Sequence, residues 1–71
     1  MKDRAYKKWL YTLCKGNKGV LARAIQSECL NRNSRAFDLL EATGDKTYDM
    51  NTFVKGAEIL IKEVEEDGKE S

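Results

Sequence analysis

The sequence predicts an all-α protein, a small bundle of four helices in a single domain. Apolar residues recur at the three- and four-residue spacing of a helix face in successive segments of the chain. The chain contains no proline, so nothing in it blocks a long helix. Regular alternation of apolar and polar residues, the pattern of a half-buried strand, is essentially absent. The 71 residues are near the lower limit for a core that folds unaided.

The first helix is predicted in DRAYKKWLYTLCKG, residues 3–16. Its lysines lie off an apolar face, and Gly16 is suited to a left-handed helix end. Trp9 is expected in the core, since aromatic residues on an apolar face are usually buried. The apolar face consists of Ala5, Tyr6, Trp9, Leu10, Leu13 and Cys14.

The second helix is predicted in NKGVLARAIQSECL, residues 17–30, with Asn17 as its N-cap. The third is predicted within NRNSRAFDLLEATG, residues 31–44, where Asn33 or Ser34 is the N-cap and Gly44 ends the helix. The inward residues of these two helices are predicted to be Val20, Leu21, Ala24, Ile25, Cys29, Ala36, Phe37 and Leu40.

The fourth and longest helix is predicted in MNTFVKGAEILIKEVEED, residues 50–67, capped by Asp49. Ile59 lies off its apolar stripe, which indicates either a partner contact or a stray surface residue. Acidic residues at a helix C-terminus oppose the helix dipole. We therefore expect a domain over residues 1–66 and a disordered tail over residues 67–71.

The predicted core combines the largest apolar residues of all four segments. No disulfide framework supports it, and Cys14 and Cys29 are expected as reduced thiols that pack like small apolar residues, in a cytoplasmic protein. No apolar run approaches the length of a membrane span, so no membrane partner is expected. The core is predicted to hold Trp9, Leu13, Leu21, Ile25, Phe37, Leu40, Phe53, Leu60 and Ile61.

The net charge of +1 conceals a strong asymmetry along the chain. Residues 1–35 hold nine basic and two acidic residues, a balance of 9 − 2 = +7, and residues 36–71 hold four basic and ten acidic residues, 4 − 10 = −6. Such asymmetry indicates an anionic partner at one end. The alternative, left open by the sequence, is that the two halves neutralise each other in the fold.

The composition argues against an enzyme or a metal protein. The chain has no histidine, which is the usual metal ligand and the usual general base near neutral pH. DKTYDMN, residues 45–51, resembles the start of a calcium loop, but Met50 stands where glycine is needed and Gly56 where a bidentate glutamate is needed. Neither a cofactor nor a metal is expected.

The start of the third segment has the residue types that read DNA. Arginine pairs bidentately with guanine and asparagine with adenine, and the first residues of a helix in the major groove reach the base edges. The alternative is that the amides and the serine only cap a helix. The candidate DNA-binding residues are Asn31, Arg32, Asn33, Ser34 and Arg35, with Lys15, Lys18 and Arg23 for phosphate contacts.

Three stretches, LARAI (21–25), SRAFDLLEATGD (34–45) and MNTFVKGAEIL (50–60), together resemble the helix-turn-helix domain of phage repressor and Cro-type regulators. The resemblance covers roughly residues 17–61. It implies a scaffold helix, a recognition helix and a helix packed behind them, and a protein that binds an operator without a cofactor. The matching residues are Ala22 in the scaffold helix, Ser34, Arg35 and Gly44 in the recognition helix, and Thr52, Ala57 and Leu60 behind them.

One departure concerns the turn after the scaffold helix. Gln26 stands where the family often has glycine, and QSECLNRN is several residues longer than the family's turn. Two arrangements stay open: the scaffold helix continues to Leu30 and turns at residues 31–33, or the motif is absent.

Two functions therefore remain open. The first is a small DNA-binding transcriptional regulator of phage or mobile-element type, with double-stranded DNA as partner and a homodimer through the fourth helix. The second is a protein-interaction module that inhibits or adapts a host complex through its basic N-terminal helix or its acidic C-terminal end. Convergence of the candidate cations on one face favours DNA. Scattering, or pairing with Glu41, Asp45 or Asp49, favours the interaction module.

Overall fold

The computed structural model describes the backbone of residues 2–70 and the side chains of residues 4–68. Within this range the chain forms four α-helices and no strand. The predicted small all-α bundle of four helices is therefore confirmed, including a fourth helix that is the longest, with 21 residues. The helices are α1 (Lys2–Leu13), α2 (Lys18–Leu30), α3 (Ser34–Glu41) and α4 (Met50–Glu70).

Helix α4 is the scaffold on which the other helices pack, and its most extensive contact is with α2. Helices α1 and α2 form an antiparallel hairpin. At its closed end the Asn17 amide donates to the Cys14 carbonyl at 3.0 Å. Near its open end the Tyr6 hydroxyl donates to the Glu28 carboxylate at 3.0 Å.

The helix starts follow the side chains that the sequence offers as N-caps. The Asn17 side chain accepts from the Val20 amide at 3.1 Å. Asn33, rather than Ser34, caps α3 and accepts from the Arg35 amide at 3.0 Å. Asp49 accepts from the Thr52 amide at 3.0 Å, as predicted for α4. Each cap satisfies an amide that has no partner inside its own helix.

The loop between α3 and α4 is held by Thr52, a buried polar side chain. The Thr52 hydroxyl donates to the Thr47 carbonyl at 2.6 Å and accepts from the Asp49 amide at 3.4 Å. Four residues further along α4, Gly56 lies against α3, where an added Cβ would meet Leu40 Cδ2 at 3.1 Å. A glycine in the middle of α4 therefore permits the close approach of α3.

The core joins residues from all four helices. Among the predicted core residues, Leu21, Ile25, Leu40, Phe53 and Leu60 are buried, and Phe37 and Ile61 are half-buried. The buried cluster consists of Tyr6, Leu10, Cys14, Leu21, Ala22, Ile25, Leu39, Leu40, Phe53, Ala57 and Leu60.

The predicted burial of Trp9 and Leu13 is wrong, since these side chains are 51% and 59% exposed. The apolar arc of α1 is wider than the surface that the core can cover, and the row of Tyr6, Leu10 and Cys14 fills the core instead. The opposite flank of α1 lies against α4, where Lys7 pairs with Glu63.

Helix α4 extends further than the predicted segment 50–67, while the disorder of residues 67–71 stays a prediction. Residues 67–70 continue helix α4, and Ser71 lies outside the described residues. The Arg4 guanidinium lies 2.7 Å from the Asp67 carboxylate, and the Tyr11 hydroxyl donates to Glu65 at 3.1 Å. These contacts from α1 offset the unfavourable position of acids at a helix C-terminus.

The rotation of α1 can be tested with two leucines that lie three positions apart. Leu10 is fully buried and Leu13 is exposed. Leu10→Ala should lower the free energy of unfolding by about 2–5 kcal/mol, because it leaves a cavity. Leu13→Ala should lower it by less than about 1 kcal/mol. Urea unfolding followed by circular dichroism measures both, and equal losses would contradict the assigned rotation.

Candidate functional site

The structure divides the predicted DNA-binding residues between the two ends of α2. Lys15 and Lys18 lie at its N-terminal end, and residues 31–35 lie beyond its C-terminal end. A helix of 13 residues separates these ends by about 18 Å. Arg23 is exposed between them. The eight residues therefore do not form one cluster.

The turn between α2 and α3 consists of three residues, and the resemblance to a helix-turn-helix stays a prediction. Helix α2 continues to Leu30, and only residues 31–33 precede α3. The Asn33 amide donates to the Glu28 carbonyl at 3.0 Å and the Arg32 amide to the Cys29 carbonyl at 2.9 Å, a Schellman motif. Arg32 has φ +58°, a left-handed conformation that favours glycine. A turn of three residues is typical of helix-turn-helix pairs.

Asn33 is occupied by structural contacts. Its Oδ1 caps α3, and its Nδ2 donates to Glu28 Oε1 at 3.0 Å, the same atom that accepts from Tyr6. Burial and the bond to Glu28 raise the pKa of the Tyr6 hydroxyl, which keeps it protonated as the donor. These contacts fix the orientation of the Asn33 amide, so it could reach a base edge only by breaking them.

The remaining residues at the start of α3 are exposed, but acids accompany them. Asn31, Arg32, Ser34 and Arg35 are exposed, and the Arg35 guanidinium lies 5.6 Å from the centroid of the Tyr6 ring. Asp38 and Glu41 are also exposed. They lie four and seven residues after Ser34, on the same face of α3. A phosphate backbone approaching this face would meet two carboxylates.

The ion pairs explain part of the charge asymmetry. Within residues 4–68 they are Arg4–Asp67, Lys7–Glu63 and Lys55–Asp45. Two of the three join basic α1 to acidic α4, so neutralisation inside the fold accounts for Arg4 and Lys7. The described ion pairs do not include any of the candidate DNA-binding cations.

A second surface lies on the side of the α1–α2 hairpin that faces away from α4. Lys7 and Tyr11 of α1 contact α4. Trp9 comes two residues after Lys7, and Leu13 comes two residues after Tyr11. Two residues correspond to a rotation of about 200° around the helix axis. In α2, Lys18 lines a cleft with residues of α4, and Val20 follows it by two residues. All three apolar side chains therefore point away from α4.

The antiparallel register places these apolar side chains side by side. From the Cys14–Asn17 and Tyr6–Glu28 contacts we infer that Leu13 lies near Val20 and Trp9 near Ala24. Val20 is 50% exposed, similar to Trp9. Trp9 also stacks on Tyr6, with 6.0 Å between ring centroids. The result is an apolar strip along the line between α1 and α2.

Exposed cations of the same hairpin lie within one to three residues of these apolar side chains along the sequence. Lys8, Lys15 and Arg23 are exposed, and none of them takes part in an ion pair with a described residue. The only acid between residues 4 and 35 is Glu28, whose carboxylate accepts from Tyr6 and Asn33. We call this surface the hairpin face and define it by Trp9, Leu13 and Val20 with the cations Lys8, Lys15 and Arg23.

Sequence reasoning missed the hairpin face because it assigned Trp9 and Leu13 to the core. The available signal was the width of the apolar arc of α1. The apolar arc contains two rows of residues at i, i+4 spacing. One row runs through Leu10 and the other through Trp9 and Leu13. The row through Leu10 alone fills the contact between α1 and the core.

One cavity, beside α3, is small. Its volume of about 50 Å³, lined by Tyr6, Arg35, Ile59 and neighbouring residues, is far below the roughly 300–1,000 Å³ of ligand pockets. Ile59 is half-buried there. Cys14 and Cys29 are free thiols, and burial raises the pKa of both. Among the residues searched, no group of three or more potential metal ligands occurs.

The class of this protein is defined by its fold alone: it is a small all-α bundle of four helices. No protein-family model matches the chain, and searches of curated proteins and of solved structures found no match either. Over the described part of the chain, no helix has both the length and the apolar content needed to cross a membrane.

The left-handed conformation of Arg32 gives a test of whether this residue serves stability. Arg32→Gly should raise the free energy of unfolding by up to about 1 kcal/mol, because glycine adopts this conformation without steric cost. Arg35→Gly, the matched control inside α3, should lower it by about 1 kcal/mol. Chemical unfolding of both variants measures the difference, and a loss of stability in Arg32→Gly would show that its side chain supports the fold.

Proposed function

We propose that this chain is a small protein-interaction module that binds its partner through the hairpin face. The observation that carries the proposal is the exposure of Trp9 and Leu13 on a helix whose other apolar row already fills the core. Apolar patches rimmed by polar groups mark interaction sites. Tryptophan is also enriched among the residues that contribute most to binding energy.

The size of the apolar strip suits an anchor for a partner. An aromatic side chain buries about 150–250 Å². Three large side chains that are about half exposed therefore offer on the order of 300 Å². The cations of the face add long-range attraction and orientation for an acidic partner.

The acidic end of α4 is a weaker docking surface than the hairpin face. Its Glu63 and Asp67 are paired with Lys7 and Arg4 of α1. The outward side of α4 after Met50 is polar, with Asn51, Lys55, Glu58, Lys62, Glu65 and Glu66 exposed. The homodimer through α4 stays a prediction, and most of the exposed side chains on this helix after Met50 are polar.

The proposal can be tested by partner capture with matched surface variants. Wild type, Trp9→Ala, Leu13→Ala and Met50→Ala are immobilised at equal density and exposed to extract of the source cells. Met50 is 50% exposed and lies at the start of α4, so it controls for the loss of an exposed apolar side chain elsewhere. We expect partners to be retained by wild type and Met50→Ala, and reduced at least about tenfold by Trp9→Ala and Leu13→Ala.

Circular dichroism of each variant controls for folding in this experiment. Retention that is the same for all four proteins would overturn the proposal, and so would equal loss in Met50→Ala and Trp9→Ala.

We also propose a second candidate function, DNA binding by the α2–turn–α3 unit of a phage-type or mobile-element regulator. It is supported by the turn of three residues and by exposed Arg32 and Arg35 at the start of α3. The exposed Asp38 and Glu41 on α3 and the engagement of Asn33 weigh against it. We therefore rank it below the interaction module.

The DNA candidate predicts binding that depends on salt and on the arginines of the turn. A fluorescent generic duplex should bind with micromolar affinity at about 50 mM salt and much more weakly at about 200 mM, because bound cations release counterions. Arg32→Ala/Arg35→Ala should abolish binding, while Lys46→Ala/Lys62→Ala, two exposed lysines elsewhere, should retain most of it. Absence of binding at low salt by the folded protein would exclude this function.

A further inference from the structure

We infer that the hairpin face binds an acidic, amphipathic α-helical segment of its protein partner, with the apolar stripe of that segment against Trp9, Leu13 and Val20. This inference rests on the proposed function and specifies the chemistry of the partner. It follows from three properties of the face: its shape, its charge and its size.

The shape of the hairpin face suits a helix. Trp9 and Leu13 are four residues apart on α1, so their side chains follow the helix axis at a spacing of about 6 Å. In the inferred register Val20 lies near Leu13 across the line between the helices, and Ala24, near Trp9, is half-buried and small. An amphipathic helix with apolar residues at i, i+3 or i+4, and i+7 repeats at the same spacing and fills such a line.

The charge of the face selects an acidic occupant. Lys8, Lys15 and Arg23 belong to the face, and Glu28, the only acid of residues 4–35, already accepts two hydrogen bonds. Carboxylates flanking the apolar stripe of a bound helix would meet these three cations. A basic helix would meet three like charges, with Glu28 as the one carboxylate of residues 4–35 to compensate them.

The size and charge together disfavour a second copy of the chain. A symmetric dimer through this face would bring each cation group against its equivalent, because a two-fold axis pairs identical surfaces. The strip, on the order of 300 Å², is also smaller than the roughly 800 Å² that each partner contributes to a standard interface. A single helical segment requires less area than a folded partner.

Trp9 provides a direct probe of the hairpin face, since it is the only tryptophan of the chain and is half-exposed. The full chain is titrated with a synthetic helix of about 18 residues built from Glu, Ala and Leu, with leucines at i, i+4, i+7 and i+11. We expect a saturable blue shift of the Trp9 emission with micromolar Kd, weakened several-fold between about 50 and 200 mM salt.

Three further probes separate the alternatives. A peptide of the same composition with a scrambled stripe, and a peptide with Lys in place of Glu, should each bind at least about tenfold more weakly. Vesicles of phosphatidylglycerol and phosphatidylcholine and a generic DNA duplex should give no comparable shift. A stronger response to vesicles or to the duplex would overturn the inference in favour of a lipid surface or nucleic acid. A shift that depends on protein concentration alone would indicate a second copy.

Variants that replace only charged residues keep Trp9, so its fluorescence can still report binding of the peptide. Lys8→Ala/Arg23→Ala should weaken the acidic peptide at least about fivefold, while Lys46→Ala/Lys62→Ala, which removes two exposed lysines outside the face, should not. Equal affinity of the Glu and Lys peptides, or no response to either, would overturn the acidic-helix inference. Partner capture that still depends on Trp9 would then leave the proposed function standing, so the two failures are distinguishable.

Discussion

The arrangement of the molecule depends on the rotation of α1 against α4. With Tyr6, Leu10 and Cys14 turned inward, Lys7 and Tyr11 face α4, and Trp9 and Leu13 face solvent. Exposed ion pairs contribute only about 0–1 kcal/mol each, so they do not set this rotation alone. Leaving Trp9 and Leu13 about half exposed forgoes half of the roughly 1.5–3 kcal/mol that full burial of each side chain would contribute. The core is complete without them, which makes their exposure the most informative departure from the sequence pattern.

Much of the fold could be predicted from the sequence because its signals are local. Asn17 and Asp49 cap helices through contacts three residues away, and the apolar stripe of α4 matches the residues that pack in the core. The rotation of α1 could not be predicted, because two apolar rows compete and only tertiary packing chooses between them. The same reason hid the candidate site, whose apolar residues come from the row that is not buried. The pairing of Arg4 with Asp67 near the end of α4 could not be predicted, because the two residues are distant in sequence.

The charge asymmetry has two components that the sequence could not separate. Adjacent lysines of α1 have different surroundings, because successive residues of a helix point about 100° apart. Lys7 pairs with Glu63, whereas Lys8 is exposed without an ion pair among the described residues. Internal neutralisation therefore uses the flank of α1 against α4. The cations on the other side stay available, next to the apolar strip, which is where an anionic partner would approach.

Both helices of the hairpin end in the same unusual way. In α1 the Gly16 amide donates to Tyr11 at 3.0 Å and the Lys15 amide to Thr12 at 3.2 Å, a Schellman motif like that of α2. The left-handed position holds Lys15 in one motif and Arg32 in the other, with φ of +55° and +58°. Glycine is the usual residue there, and another residue costs on the order of 1 kcal/mol. A cation at each position offsets part of this cost, because positive charge at a helix C-terminus interacts favourably with the helix dipole.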